Sequence, residues 1–346
     1  MIDARIATSW LAGGPLPTRR LRWLTLRPLA HPHDHRHDHP HDHRHPPPHL
    51  SAASGLVCAN GRAYVIADDA QHLAVFHNLG SAGELHRLLP GDLPLTKPAR
   101  KQLKADLETL LLLPFMGCSG GRLRGRHTGQ ALVALGSGSR PNRNTGVVIP
   151  LSAAGAPLHA LQPFDLQALY EPLRQALGEI NIEGAMLLGD GFALLNRGVA
   201  GRSDNALACY PLRALLDLMD GNVSGQGSAV MPTSIQRFEL GALDGVPLGL
   251  TDAAALPGGG WVFSAAAEDT TSSYADGRCA GSVLGVVAAP GSGGGRGGGG
   301  VTLHWLATTD KVEGIALRVA PGHIDVCMVT DTDDPARASA LLLARL

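Results

Sequence analysis

The sequence predicts an all-β fold, a β-propeller with five blades, on three observations. One pattern recurs five times along the 346 residues: a polar or acidic residue, a small residue, an apolar strand, usually a turn, and a second apolar strand. A third short strand, and in most copies a fourth, follows each time. The chain ends after the third strand of the fifth copy. Repeated units of four antiparallel strands and about 50–75 residues are typical of propeller blades.

The repeats are recognised by their first strands and by the turns that follow them. In the first copy Asn60-Gly61 separates two apolar runs, and such pairs favour a hairpin because primed turns need positive φ. The second copy replaces the turn with a longer excursion rich in Gly and Arg. The first strands of the five copies span residues 54–58, 107–113, 181–188, 251–256 and 311–317.

The chain ends and the gaps between copies decide the blade count. The run Leu21 to Leu29 can supply the missing outer strand of the last copy, which would join the two ends and remove an open edge. The gaps 151–181 and 213–249 could each hide a sixth blade. The apolar spacing from Asp165 to Gly178 and the run Pro211 to Met219 favour helices there instead. A two-sheet sandwich with coincidental Glu-Gly pairs is the alternative to the propeller.

The predicted organisation is a flexible N-terminus, residues 1–20, and one propeller domain, residues 21–346. Two low-complexity loops interrupt the domain. The segment 31–49 holds nine of the sixteen histidines, alternating with Asp, Arg and Pro, and cannot bury a face. It would either bind zinc or nickel loosely through its imidazoles or be an insertion without a role. The segment 290–300 is a flexible Gly-rich connector.

Composition excludes several classes of partner. The net charge of −1 gives no electrostatic basis for binding nucleic acid, and no apolar run approaches the roughly 20 residues that span a bilayer. The five cysteines are scattered and form no C-x-x-C pair, which favours small core residues over a zinc or redox site. We therefore expect a cytoplasmic protein that binds neither nucleic acid nor membrane. A small molecule is the expected ligand, and the oligomeric state is left open.

The repeat predicts a ring of acids in the central channel. The first strand of each blade lines the channel, so the residue that leads it should lie near one mouth. These leading residues are Ser54, Glu108, Glu183, Asp252 and Glu313. Four acids so close together cannot all stay ionised without compensation. Raised pKa values, salt bridges and a bound cation such as calcium or magnesium are the three outcomes.

Cations and amides should reach the same mouth from the ends of the second strands and the loops after them. They would neutralise the ring or hold an anionic ligand above a metal. The candidates are Arg140, Asn142, Arg143, Asn196, Arg197 and Lys311.

Several segments carry a resemblance to known propellers. The openings Asn181-Ile182-Glu183-Gly184-Ala185 and Lys311-Val312-Glu313-Gly314-Ile315 resemble the Glu-Gly openings of phytase-like and gluconolactonase-like propellers. Together with ALGSGSRPNR, LDGVPLGLTDAAALP and FSAAAEDT, they make the chain similar to an uncharacterised bacterial propeller family over residues 21–346. In gluconolactonase-like enzymes such a glutamate holds a divalent metal with an Asn and an Asp. The resemblance implies that Glu183 or Glu313, with Asn196 and Asp252, could form that set.

Two functions follow from the acid ring. The first is a metal-assisted hydrolase or lactonase that acts on a small anionic molecule. Glu108, Glu183, Asp252, Glu313 and Asn196 would hold the metal, and Glu183, Asp252 and Glu313 would take part in catalysis. The substrate would be bound by Arg140, Asn142, Arg143, Arg197 and Lys311. The alternative is a non-catalytic propeller that binds a ligand or a protein, with purely structural channel acids.

Overall fold

The computed structural model describes most of the chain, and the two low-complexity loops lie almost wholly outside it. The described residues are 2–27, 49–78, 80–115, 129–159, 163–199, 204–223, 229–269, 277–289 and 300–346. Apart from His49 and Gly300, the expectations for segments 31–49 and 290–300 therefore fall outside the described residues.

The strands form five antiparallel four-stranded blades. Two strands precede blade 1 in the chain, β1 (Ile2–Trp10) and β2 (Arg19–Trp23). Blade 1 contains β3 (Ala53–Ala59), β4 (Arg62–Ala67), β5 (His72–Phe76) and β6 (Glu84–Arg87). Helix α1 (Lys97–Leu103) leads to blade 2, which contains β7 (Leu107–Phe115), β8 (Gly129–Gly136), β9 (Thr145–Pro150) and β10 (Phe164–Asp165). A 3-10 turn, Pro141–Arg143, separates β8 from β9.

Helices α2 and α3 accompany blade 3. Helix α2 (Gln167–Leu177) precedes it, and α3 (Leu212–Met219) lies inside it. Blade 3 contains β11 (Ile182–Leu188), β12 (Gly191–Asn196), β13 (Asn205–Pro211) and β14 (Ser234–Glu239). Blade 4 contains β16 (Val246–Ala255), β17 (Trp261–Asp269), β18 (Arg278–Val287) and β19 (Val301–Trp305), after a short β15 (Ala242–Leu243). Blade 5 contains β20 (Lys311–Ala320), β21 (His323–Asp331) and β22 (Ala340–Arg345) with β2 as its outer strand.

Five blades close the ring. The first strands contact one another in the order β3, β7, β11, β16, β20 and back to β3. Five apolar clusters form the core, and each lies between two neighbouring blades. The five-bladed propeller is thus confirmed. The two gaps hold helices α2 and α3, as their apolar spacing predicts, rather than a sixth blade.

Both ends of the chain take part in the ring. The antiparallel pairing of β2 with β22 supplies the outer strand of blade 5 from the N-terminal region, as predicted. The structure differs from the expectation of a flexible segment 1–20, because β1 lies between blades 3 and 4. It pairs in parallel with β14 through Ile2 to Ala7 and with β19 through Thr8 to Trp10. The strand therefore covers two outer edges at once. In the described part of the chain, every helix is too short or too polar to cross a membrane.

Candidate functional site: the channel and its mouth

Each first strand carries a β-bulge, near its start in four blades and near the middle of β16 in blade 4. In blade 3, Ile182 pairs with Asn196 and Gly184 with Leu195, so that Glu183 is left without a partner in the ladder. Bulges re-aim the side chain of the extra residue. The five bulge residues, all buried, are Ser54, Glu108, Glu183, Thr251 and Glu313. Three carboxyl groups and two hydroxyl groups therefore occupy equivalent places around the channel.

Asp252 does not lead its strand as the sequence predicts, because the bulge of blade 4 falls one residue earlier, at Thr251. Asp252 pairs in the ladder with Ser264. Its two carboxylate oxygens accept hydrogen bonds of 2.8 Å from the backbone N–H groups of Ala253 and Ile315. Burial raises the pKa of this carboxyl group despite those bonds. The side chain fastens blade 4 to blade 5.

The small residue of the repeat stands where neighbouring first strands meet most closely. A Cβ on Gly184 would lie 2.7 Å from the Cα of Asp252, and one on Gly314 would lie 2.8 Å from the backbone N of Leu56. At contacts this short, a side chain could be accommodated only by a shift of the neighbouring blade. In the Glu-Gly pair of the repeat, the glutamate is therefore the bulge residue, and the glycine lets the next blade approach closely.

The two bulge hydroxyl groups bridge blades. The Oγ of Ser54 donates to the carbonyl oxygen of Leu107 at 2.9 Å, and the Oγ1 of Thr251 donates to that of Val312 at 2.9 Å. In both cases the acceptor is the residue before the bulge of the next blade. These bonds join blade 1 to blade 2 and blade 4 to blade 5 through buried groups.

The blade 3–5 network joins two buried cations to four acids of three blades: Arg197, Lys311, Glu183, Glu268, Glu313 and Asp331. Arg197 donates to Glu268 at 2.6 Å, and it lies 3.6 Å from a carboxylate oxygen of Glu183 and 3.7 Å from one of Glu313. The Nζ of Lys311 lies 3.0 Å from Glu313, 3.3 Å from Asp331 and 3.5 Å from Glu268. Each cation is therefore shared among several carboxyl groups.

The blade 1–2 network consists of Lys104, Arg143, Asp68, Asp106 and Glu108. The Nζ of Lys104 contacts carboxylate oxygens of Asp68 and Asp106, the latter at 2.7 Å. Arg143 approaches Asp106 to 2.6 Å. Ligand atoms of Asp68, Asp106 and Glu108 lie within 4.8 Å of one another, which is compact enough for a metal ion. The ammonium group of Lys104, however, already contacts two of these three acids.

The pKa values in the two networks follow from burial and from like charges. Burial, followed by Asp106 and Glu183, raises the pKa of Glu108 well above its usual range. Burial and then Glu313 do the same for the pKa of Glu183. Burial also raises the pKa of Asp331, against the opposing effect of Lys311. Two of the outcomes expected for an acid ring, raised pKa values and salt bridges, therefore occur together.

The structure brings some of the predicted site residues together and separates the others. Glu183, Glu313, Arg197 and Lys311 share one network, and Glu108 and Arg143 share the other. Three of the remaining candidates are Arg140, Asn142 and Asn196. The amide of Asn142 donates to the carbonyl oxygens of Gln102 and Lys104, and that of Asn196 bridges backbone groups of 181 and 204. Arg140 lines a different cavity, beside α2.

The segment from Lys97 to Asp106, which supplies α1 and the centre of the blade 1–2 network, is not among the site residues that the sequence predicts. It lies between two copies of the repeat, so strand patterns gave no reason to consider it. The cluster of basic residues just before the first strand of blade 2 is the sequence feature that could have indicated a contact with the channel acids.

A cavity of about 110 Å³, here called the mouth pocket, opens between blade 5, blade 1 and α1. Its basic side comes from α1 and the residue that follows it, and its acidic side from the ends of β4 and β21. The charged residues that line it are Lys97, Arg100, Lys101, Lys104, Asp68, Asp69, Asp331, Asp333 and Asp334. Arg100 pairs with Asp69 at 3.0 Å, and the Nζ of Lys97 donates to the backbone oxygen of Asp333. The pocket thus presents both signs of charge above the channel.

Comparison with solved structures gives distant likenesses. The allergen Mala s 1 of Malassezia sympodialis is 9% identical with a TM-score of 0.45, over 84% of this chain and 91% of that one. A bifunctional GH43-CE protein of Bacteroides eggerthii is 11% identical with a TM-score of 0.45, over 85% of this chain and 33% of that one, so this chain spans about a third of it. A luciferin-regenerating enzyme is 11% identical with a TM-score of 0.32, over 86% and 78%.

The sequence itself gives one clear relationship. No curated protein matches it significantly. A family model matches residues 49–346, which include all five first strands and therefore every bulge residue of the channel. With most of its length matched, the chain belongs to DUF6929, a family of unknown function.

Proposed function

We propose that this protein binds a small zwitterionic molecule, one that carries both an amino group and an acid group, in the mouth pocket. The observation that supports the proposal is the division of charge in that pocket. Helix α1 contributes Lys97, Arg100 and Lys101, while the turn after β21 contributes Asp333 and Asp334. An acid group would pair with the first set and an ammonium group with the second, through charge-assisted hydrogen bonds.

The size of the pocket restricts the ligand. A cavity of about 150 Å³ accepts one benzene molecule. The mouth pocket, at about 110 Å³ and open to solvent, would hold the polar end of a molecule of amino-acid size. A larger ligand would project outwards from the mouth. Binding there needs no contact with the bulge carboxyl groups Glu108, Glu183 and Glu313, which do not line the pocket.

Calorimetry with amino acids tests this proposal, with propionate and propylamine as singly charged controls. We expect an amino acid to bind more tightly than either control, because only the zwitterion satisfies both sides of the pocket. Lys97→Met and Asp334→Asn should each weaken binding. Arg213→Met is the control and should not, because Arg213 is an exposed residue of α3 that pairs with Asp217 outside the pocket. Equal affinity for the zwitterion and the controls, or no effect of the pocket variants, would refute it.

A second candidate is the metal-assisted hydrolase of small anionic molecules, located in the cytoplasm as the sequence predicts. The compact arrangement of Asp68, Asp106 and Glu108 favours it. Glu183 and Glu313, whose strand openings resemble those of phytase-like and gluconolactonase-like propellers, would then take part in catalysis from the neighbouring network. Thermal unfolding with calcium or magnesium tests it. The ion should raise the Tm of the wild type but not that of Glu108→Gln.

A further inference from the structure

Two cysteines far apart in the sequence meet where the ring closes, at the seam between blades 5 and 1. Cys58 lies on β3 of blade 1, and Cys327 lies on β21 of blade 5. The two strands are in contact, both cysteines line one cavity, and each thiol shifts the pKa of the other. Cys58 is exposed, and Cys327 is partly exposed, so both differ from the core positions that the apolar runs around them predict.

The two thiols open into a cavity of about 520 Å³, here called the seam cavity. It lies apart from the mouth pocket and shares no lining residue with it. Its charged lining residues are Arg19, Arg22, Arg62, Arg318 and Asp325. Arg318 pairs with Asp325 at 2.9 Å, which leaves an excess of positive charge around the thiols. A site of this kind favours small anions and thiolate formation.

We propose that Cys58 and Cys327 form a redox modification site, which reacts with a small anionic disulfide and closes into a disulfide bond across the seam. The geometry supplies a pair of adjacent thiols, access from solvent and a cationic cavity for the oxidant. The inference does not depend on the ligand of the mouth pocket.

The reaction takes place in two thiol–disulfide exchange steps. The thiolate of Cys327 attacks one sulfur of the oxidant, which forms a mixed disulfide and releases one thiol. The thiolate of Cys58 then attacks the Sγ of Cys327, which forms the protein disulfide and releases the second thiol. Two protein thiols are oxidised and one small disulfide is reduced to two thiols, which take up the two protons.

The order of attack follows from the interaction between the thiols and from the charge beside them. That interaction lowers the pKa of Cys327, which Arg318 lowers as well, and it raises the pKa of Cys58. Cys327 is therefore the nucleophile for the external disulfide and Cys58 the resolving thiol. The bond would tie β3 to β21, next to the place where β2 closes the ring by non-covalent pairing alone. Because the cross-linked loop includes most of the chain, it should stabilise the fold considerably.

The full-length protein should be incubated with oxidised glutathione, then alkylated, digested and analysed by mass spectrometry under non-reducing conditions. We expect a peptide that joins Cys58 to Cys327, and a rise in Tm of about 5 °C that dithiothreitol reverses. The Cys58→Ser variant should stop at a mixed disulfide on Cys327. The Cys327→Ser variant should react much more slowly than the wild type. Cys209→Ser is the matched control and should behave like the wild type.

Three results would overturn the proposal. The joined peptide could be absent although glutathione has reacted elsewhere in the protein. Cys58→Ser could accumulate no mixed disulfide on Cys327. The disulfide bond could also form without raising the Tm, which would show that it does not stabilise the contact between blades 5 and 1. Circular dichroism of both serine variants shows that they are folded before they are compared.

Discussion

Arg197→Met should destabilise the protein strongly, and the loss should depend on pH. Arg197 contacts acids of three blades, namely Glu183, Glu268 and Glu313, at 3.6, 2.6 and 3.7 Å. Methionine keeps much of the apolar side chain but removes the charge. The three carboxyl groups are then left with Lys311 as the cation of their network.

The size of the effect follows from burial. Removing one partner of a buried ion pair costs about 3–5 kcal/mol, because the other partner stays buried without compensation. We expect a loss of this size at pH 7, or a fall in Tm of about 10 °C. Without the cation, the carboxyl groups bind protons more readily in the folded state. The folded variant therefore gains stability relative to the wild type as the pH falls, and the loss should shrink towards pH 5.

Urea unfolding at pH 5, 6, 7 and 8 measures this change. Arg345→Met is the control, since it removes an exposed arginine that contacts Asp325 at 2.9 Å, and it should cost less than about 1 kcal/mol. The double variant Arg197→Met/Glu268→Gln should recover about 1 kcal/mol or more of the loss. A loss at Arg197 no larger than that of the control, or one that does not vary with pH, would refute the reasoning.

Three further predictions concern single positions in the channel. Glu108→Gln should gain stability relative to the wild type between pH 5 and 9 in urea unfolding. Burial raises the pKa of Glu108, so the folded protein favours the protonated carboxyl group. The stability that comes with this proton is present at low pH and is lost as the pH rises through the raised pKa. Glutamine does not ionise, so the variant keeps its stability over this range. Gly184→Ala should cost about 1–3 kcal/mol by thermal unfolding, because its Cβ would meet the backbone of the next blade, whereas Gly14→Ala, with open space around it, should cost almost nothing. Thr251→Val should cost about 1–3 kcal/mol in urea, because it removes the buried hydrogen bonds of the Thr251 hydroxyl group with the carbonyl of Val312 and the hydroxyl of Ser264, and the exposed equivalent Thr18→Val should cost less.

The sequence was sufficient for the features that a local pattern carries. Apolar strands, turns and their repetition predicted the blades, and a chain that ends on a third strand predicted the outer strand from residues 21–29. The structure places that strand at Arg19–Trp23. Helices α2 and α3 followed from apolar spacing at the helical period. Each of these features depends on residues close together in the chain.

Features set by pairing between strands were not predictable in the same way. Whether Thr251 or Asp252 forms the bulge depends on the register of β16 against β17, and the local sequence does not determine this register. Asp252 was predicted as the leading residue because it is an acid at the start of an apolar run, as in the other copies of the repeat. The contact between Cys58 and Cys327 has the same origin, because only ring closure brings β3 and β21 together. Strand β1 pairs with two blades whose outer strands lie far along the chain.

The charge of the two networks bears on the choice between the proposed functions. They contain seven carboxyl groups against four cations, Lys104, Arg143, Arg197 and Lys311, so full ionisation would leave a charge of −3 in a buried channel. Burial raises the pKa of three of these acids, Glu108, Glu183 and Asp331, and protons on them would cancel that charge. A divalent ion beside Glu108 would have to displace such protons and compete with the ammonium group of Lys104. Binding of calcium or magnesium should therefore strengthen as the pH rises, whereas a zwitterion in the mouth pocket, which Glu108 does not line, would not have to displace a proton from Glu108.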